Sequence, residues 1–175
     1  GIDHSIQDLI DFCRARIPAG EPIVLLGHST GGLIALLALE KEPDLFKTAI
    51  LTAPLLGFGN PILKNREAFF AKLVMPKILA QSYIPGGGPW QMRPTPESFS
   101  SDPQRNRLHD YWQQKDSALR MGSPTWPWVV NKCRGIMRIR GAAFLQKITE
   151  PVLVVTAGRD TIINNSAVAA VVAKL

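Results

Sequence analysis

Apolar positions recur along this chain in two periods, and the alternation between them sets its plan. Over residues 4–17, Ile6, Leu9, Ile10, Cys13 and Ile17 return at the spacing of a helix, while Asp8, Asp11, Arg14 and Arg16 lie off that face. Pro18-Ala19-Gly20 ends the pattern. The continuous apolar run from Ile23 to Gly27 then predicts a buried strand, and residues 30–42 predict a helix. On that helix Leu33, Leu36 and Leu37 trace a buried stripe that runs out to solvent at Glu40, and Pro43 closes it. Residues 47–52 (KTAILT) and 151–156 (PVLVVT) predict two further strands, and residues 165–175 a closing helix. The strand segments are apolar throughout rather than alternating, as expected when helices cover both faces of a parallel sheet. Strand, helix, strand, insertion, strand, helix is an α/β arrangement with parallel strands.

The insertion has a different texture. Ten of the fourteen prolines fall between Pro54 and Pro127, and all four tryptophans (Trp90, Trp112, Trp126, Trp128) lie between Gly57 and Gln146. Helices are predicted over residues 66–79, with Pro76 bending or ending the first of them, over 102–114, opened by Asp102-Pro103, and over 126–146, with a break at Gly135 or Gly141. Gly86-Gly87-Gly88-Pro89 is a loop. The chain therefore divides into a core part at 1–56, a helical insertion at 57–147 and a second core part at 148–175.

Composition adds limits. A chain of 175 residues with 46% apolar and 19% charged positions builds one sizeable core. No apolar run approaches the roughly eighteen residues of a membrane span, and no secretory signal pattern opens the chain. Cys13 and Cys133 both sit in apolar helical patterns, which predicts two buried free thiols rather than a bridge or a metal site. That fits a cytoplasmic location.

The net charge of +6 is local. Residues 117–149 contain no acid and six bases (Arg120, Lys132, Arg134, Arg138, Arg140, Lys147), so the rest of the chain sums to zero. No nucleic-acid reading motif accompanies this stretch, and a nucleic-acid partner is not expected. The basic helix from Lys132 to Lys147 is instead a candidate for peripheral contact with an anionic membrane at its inner face, against the plainer alternative of a solvated face.

The chemistry centres on Gly27-His28-Ser29-Thr30-Gly31, which lies between the first strand and the helix after it. Gly-x-Ser-x-Gly at a strand-to-helix junction is the nucleophile-elbow pattern: a sharp, strained turn holds the serine above the helix N-terminus. Small neighbours are needed there, and Gly27 and Gly31 are expected to supply the space. A serine nucleophile needs a base, and the base an orienting carboxylate. Asp160, directly after the strand at 151–156, is the candidate acid; a turn aspartate is the alternative. The histidines are His4, His28 and His109, and none follows Asp160. His28 adjoins Ser29, so its side chain should point elsewhere, into packing or support.

Gly27-His28-Ser29-Thr30-Gly31-Gly32 resembles the α/β-hydrolases. Thr52-Ala53-Pro54-Leu55-Leu56, Ser101-Asp102-Pro103 and Gly158-Arg159-Asp160 look like the lysophospholipase and monoacylglycerol-lipase branch. The resemblance implies a fold with a parallel sheet flanked by helices and a helical cap insertion. It implies a serine ester hydrolase of lysophospholipids or monoacylglycerols, with Ser29 as nucleophile, Asp160 as acid and the Thr30 backbone N–H as one oxyanion donor. It implies a small-molecule lipid ester as substrate, and neither a metal nor an organic cofactor. Apolar cap walls would come from Phe69, Phe70, Leu73, Trp90, Trp126 and Trp128, unless these form the core of the cap itself. In that family the order is Ser, acid, His, so these residues are expected to be a fragment, lacking the first strands, the second oxyanion donor and the histidine. Other acyl substrates (carboxylic esters, thioesters, acyl transfer) and a non-catalytic scaffold are the competing expectations.

Overall fold

A computed structural model describes residues 1–73, 79, 81–92 and 100–175, with the backbone alone of His109 and Ala142. The chain forms two compact units, Gly1–Val74 with Trp128–Leu175, and Met75–Pro127.

The first unit is a three-stranded parallel sheet in the order β1 (Val24–His28), β2 (Thr48–Thr52), β3 (Val152–Val155). The register pairs Leu26 with Ile50 and Ile50 with Leu153, and His28 with Thr52 and Thr52 with Val155. The three strands therefore end level, and everything that follows them emerges at one edge. Helix α1 (Ile2–Arg16) buries Ile2, Ile6, Ile10 and Cys13, a stripe at helical spacing, and packs on α2 (Thr30–Lys41). Helix α2 is buried along most of its length and lies against β1 and β2. Both cysteines are free and buried.

One face of the sheet, with Leu25, Gly27, Ala49 and Leu51, is buried. The other carries Val24, Leu26, Leu153 and Val155, and Leu26 is 75% exposed. Burial along β1 and β3 thus alternates although their composition does not. The expectation of cover on both faces holds, among the described residues, for one face only.

One further expectation is settled and one is corrected in detail. Helix α5 (Trp126–Ile139) runs straight through Gly135, and the chain breaks at Gly141, before α6 (Ala142–Leu145). Gly135 is a packing position: a Cβ there would stand 2.5 Å from Ile2 Cδ1, 3.2 Å from Leu33 Cδ2 and 3.3 Å from Leu37 Cδ1. It lets α5 approach α1 and α2 closely. Helix α3 is short (Glu67–Ala71), and the expected bend at Pro76 lies outside the described residues.

Glu67 on α3 is wholly buried. Its Oε1 accepts from the Phe58 N–H at 3.1 Å and lies 3.3 Å from the Arg140 guanidinium. Arg140 also reaches the Leu56 carbonyl at 3.5 Å. This half-buried ion pair ties the segment after β2 to α3 and to the turn after α5. Helix α7 (Asn165–Val172) is capped by Asn164, whose side chain accepts from Ser166 and Ala167, and it buries Val168 and Val171.

The second unit contains α4 (Pro103–Lys115) and a 3-10 turn at Ser117–Leu119. Asp102 caps α4 by accepting from Gln104 N at 2.8 Å. The Arg120 guanidinium stacks 4.5 Å from the Trp90 ring centroid, and its Nε donates to the Gln113 carbonyl at 2.9 Å. The Trp90 indole N–H donates to Gln113 Oε1. Among the described residues no helix is long and apolar enough to cross a membrane.

Candidate active site

Ser29 occupies the turn between β1 and α2 at φ 51, ψ −117, a conformation that costs a non-glycine residue strain. The surrounding backbone holds it there. Its N–H donates to the Thr52 carbonyl at 3.0 Å, and its carbonyl accepts from Gly32 N at 3.0 Å and Leu55 N at 2.9 Å. The partner turn after β2 is itself strained, with Ala53 at φ 42, and is fixed by Ala53 N donating to the Val155 carbonyl at 2.7 Å. The backbone of Ser29 is thus bonded to the end of β2 and to the turn that follows it, and that turn is bonded to the end of β3.

The glycines divide this work differently from the expectation. A Cβ on Gly27 would stand 2.7 Å from the Gly31 carbonyl oxygen and 2.8 Å from Gly32 Cα. A Cβ on Gly32 would stand 2.6 Å from Pro54 Cβ. Gly31 faces open space. The close approaches that permit the turn are therefore at Gly27 and Gly32, not Gly31. The second of them is made by Pro54, a residue remote in sequence.

Ser29 is the residue before the first helical turn of α2, yet its side chain makes no capping bond. Among the described residues its hydroxyl has no hydrogen-bond partner, and neither has the Thr30 N–H. A half-buried hydroxyl thus stands at a helix N-terminus beside an unused backbone donor, where developing negative charge is favoured.

Asp160 lies in the turn after β3, at the same edge of the sheet. Its Oδ1 accepts from Ile162 N and Ile163 N, each at 2.8 Å. That loop is pinned to the segment after β2 by Gly59 N to the Ile162 carbonyl at 2.7 Å and Asn164 N to the Gly57 carbonyl at 3.0 Å. Oδ1 is fully engaged by backbone, and among the described residues Oδ2 has no partner.

His28 follows the alternation of β1 onto the uncovered sheet face, where its Nδ1 lies 3.0 Å from Thr52 Oγ1. His4 sits in the first turn of α1, with Nδ1 3.5 Å from the amino terminus. The side chain of His109 is outside the described residues. No described histidine hydrogen-bonds Ser29 or Asp160. Among the described residues no group of three or more His, Cys, Asp or Glu converges to hold a metal. The contribution of Ala53, Pro54 and Leu55 to the serine turn is the part that local pattern alone did not reveal; the Ala-Pro break after an apolar strand was its one sequence signal.

The model of the family described as "Serine aminopeptidase, S33" matches residues 1–175. The chain is similar to lysophospholipase L2 of Escherichia coli (strain K12), at 28% identity over 132 residues that cover 71% of this chain and 38% of that protein. It is similar to the probable lysophospholipase L2 of Haemophilus influenzae, at 27% identity over 144 residues covering 81% and 44%. It superposes on the crystal structure of Paleococcus ferrophilus monoacylglycerol lipase with a TM-score of 0.69 at 18% identity, covering 99% of this chain and 61% of that one. The chain spans 38% to 44% of the length of these two curated relatives. The resemblance to the lysophospholipase and monoacylglycerol-lipase branch is borne out, as is the α/β-hydrolase fold, a parallel sheet flanked by helices. The chain belongs to the serine aminopeptidase S33 family of α/β-hydrolases.

Proposed function

We propose that residues 1–175 carry the nucleophile, the acid and one oxyanion donor of a serine hydrolase that cleaves the carboxylic ester of a lysophospholipid or monoacylglycerol. The observation that carries this reading is Ser29: a serine held at φ 51 at a helix N-terminus, with its hydroxyl bonded to nothing among the described residues. Strain of that kind persists only where the surroundings impose it, and it marks functional turns more often than structural ones.

In the proposed reaction Ser29 Oγ attacks the ester carbonyl and a histidine accepts its proton. The Thr30 N–H donates to the oxyanion. The alcohol, a glycerol or lysolipid headgroup portion, leaves with that proton. Water then cleaves the acyl-enzyme and the fatty acid departs. Asp160 Oδ2, left over from the two bonds to Oδ1, orients the histidine through a ring N–H. Residues 161–175 hold no histidine, so the reading assigns the base to sequence beyond them. Residues 57–147 are the helical cap insertion of this reading. No metal or organic cofactor enters the scheme.

The lipid-ester reading draws on the names of the similar proteins, whereas the family description names a peptidase. A substrate panel separates the two. The full-length protein is assayed on a monoacylglycerol, a lysophosphatidylcholine, a short-chain ester, an acyl thioester and an aminoacyl anilide. The reading expects long-chain esters to lead by kcat/KM, and Ser29→Ala to lose about 10³-fold or more. Turnover surviving in Ser29→Ala ends it, and an anilide as best substrate moves the chemistry to amides.

A further inference from the structure

The loop that carries Asp160 is held from outside itself. Asp160 Oδ1 takes the N–H groups of Ile162 and Ile163, so the carboxylate sits where that backbone sits. Residues 161–163 lie between β3 and α7 and make no element beyond one isolated bridge. That bridge joins Ile163 to Phe58, antiparallel, and both side chains are buried. Around it Gly59 N–H donates to the Ile162 carbonyl at 2.7 Å and Asn164 N–H to the Gly57 carbonyl at 3.0 Å.

Two glycines let residues 57–59 close on the loop. A Cβ on Gly57 would stand 2.6 Å from Ala167 Cβ and 3.2 Å from Arg140 Nη2. A Cβ on Gly59 would stand 2.7 Å from the Thr161 carbonyl oxygen. Neither glycine is at positive φ, so space rather than conformation calls for them.

Residues 56–58 are fixed in turn by one ion pair. The wholly buried Glu67 accepts the Phe58 N–H on Oε1 at 3.1 Å. Arg140 meets that carboxylate with both terminal nitrogens, Nη2 at 3.3 Å from Oε1 and Nη1 at 3.4 Å from Oε2, and reaches the Leu56 carbonyl at 3.5 Å. A pair of this kind often adds little stability over apolar side chains of equal volume. What the two-pronged geometry adds is position, because each prong fixes a direction as well as a distance.

We propose that Glu67 and Arg140 are positioning residues for Asp160, setting through residues 56–59 and the bridge to Ile163 where its Oδ2 points. The proposal rests on the reading of Asp160 as the acid. The path runs from Glu67 through Phe58 and Gly59 to Ile162 and Ile163 and so to Asp160, and every step is a hydrogen bond or a stretch of backbone. Neither side chain reaches the reacting atoms, so the effect on catalysis passes through the acid alone.

The test is kinetic. The full-length protein is assayed on a short-chain chromogenic ester, well below the melting temperature of every variant. Asp160→Asn sets the scale, with a loss in kcat of about 10³-fold or more. Glu67→Gln keeps the volume and one acceptor but breaks the two-pronged contact with Arg140. It should lower kcat about tenfold and leave KM within about twofold, since a misplaced acid weakens the transition state and not ester binding. In the Asp160→Asn background the same change should cost less than about twofold. Gly59→Ala presses a methyl on the Thr161 carbonyl without touching the ion pair, and should repeat this pattern even if Glu67→Gln does not fold. Gly135→Ala lowers stability where α5 meets α1 and α2, and should keep kcat within about twofold of wild type.

Wild-type kcat in both Glu67→Gln and Gly59→Ala, beside an impaired Asp160→Asn, would overturn the positioning role and leave the acid in place. So would losses of equal size with and without Asp160, or a kcat that falls in Gly135→Ala as far as in Glu67→Gln at the same melting temperature. Wild-type turnover in Asp160→Asn would remove the acid itself, and the positioning role with it.

Discussion

The C-terminal edge of the sheet and helix α4 solve opposite problems with opposite means. At the edge, position is set by backbone. Ser29, Thr52, Ala53 and Val155 are linked carbonyl to N–H, two of them at positive φ, and Gly27 and Gly32 allow contacts that no Cβ would survive. On α4, side chains carry the character and the backbone is an ordinary capped helix. The difference teaches where each kind of function is placed. A reacting group must be held to within a fraction of an ångström, and only the backbone and its packing hold that closely. An exposed helix face places no such demand on its backbone.

The comparison can be broken by substitution, and the largest effect should come from the buried carboxylate that anchors the edge. Glu67→Ala leaves the Phe58 N–H without its acceptor and Arg140 with the Leu56 carbonyl alone, and should cost about 3–5 kcal/mol in urea titration. A cost under about 1 kcal/mol would show that the segment after β2 is held otherwise. Next comes the glycine pair. Gly32→Ala drives a methyl into Pro54 and should lose about 2–3 kcal/mol, whereas Gly31→Ala meets open space and should stay within about 1 kcal/mol of wild type. Equal costs would contradict the division of roles between them. In the second unit, Arg120→Ala removes the stacking on Trp90 and the bonds to the Gln113 and Gln114 carbonyls. Its expected loss is about 1 kcal/mol, because these groups are partly solvated.

The smallest effect concerns Cys133. Burial first, then the Glu67 carboxylate, pushes its thiol up to about 12 from 9.0, against a smaller opposing pull from Arg140. The folded state therefore keeps the proton where the unfolded chain releases it. Stability from this group is complete below pH 9.0 and is lost as pH rises toward 12. Iodoacetamide at pH 8 should leave Cys133 unlabelled until the protein is denatured; rapid native labelling would refute this.

How much of this was legible in the sequence follows from range. The three strands, the Ser29 turn and the Asp160 turn are written in contiguous residues, and local apolar periodicity is enough to find them. Gly32 was missed in favour of Gly31 because its need for a small residue comes from Pro54, which reaches it only once β1 and β2 pair. Gly135 looks like a helix breaker until α1 and α2 supply the atoms that fill its place. The ion pairs of the basic stretch are not legible because the acids are far away in sequence: Arg138 meets Asp3 across 135 residues and Lys147 meets Glu40 across 107. Helix α4 was found with nearly its observed bounds, but its spacing of Leu108, Tyr111 and Trp112 could not say which way that face points. The partner of Ser29 that would serve as base was not found in sequence, and among the described residues none touches it.

The most direct test of the central reading is to treat the full-length protein with a phosphonate ester that esterifies activated serines and to map the adduct by mass spectrometry of peptides. The reading predicts one modified residue, Ser29, and no adduct in the Ser29→Ala protein. Ester turnover by a protein whose adduct maps to another serine, or whose Ser29 stays unmodified, would contradict it.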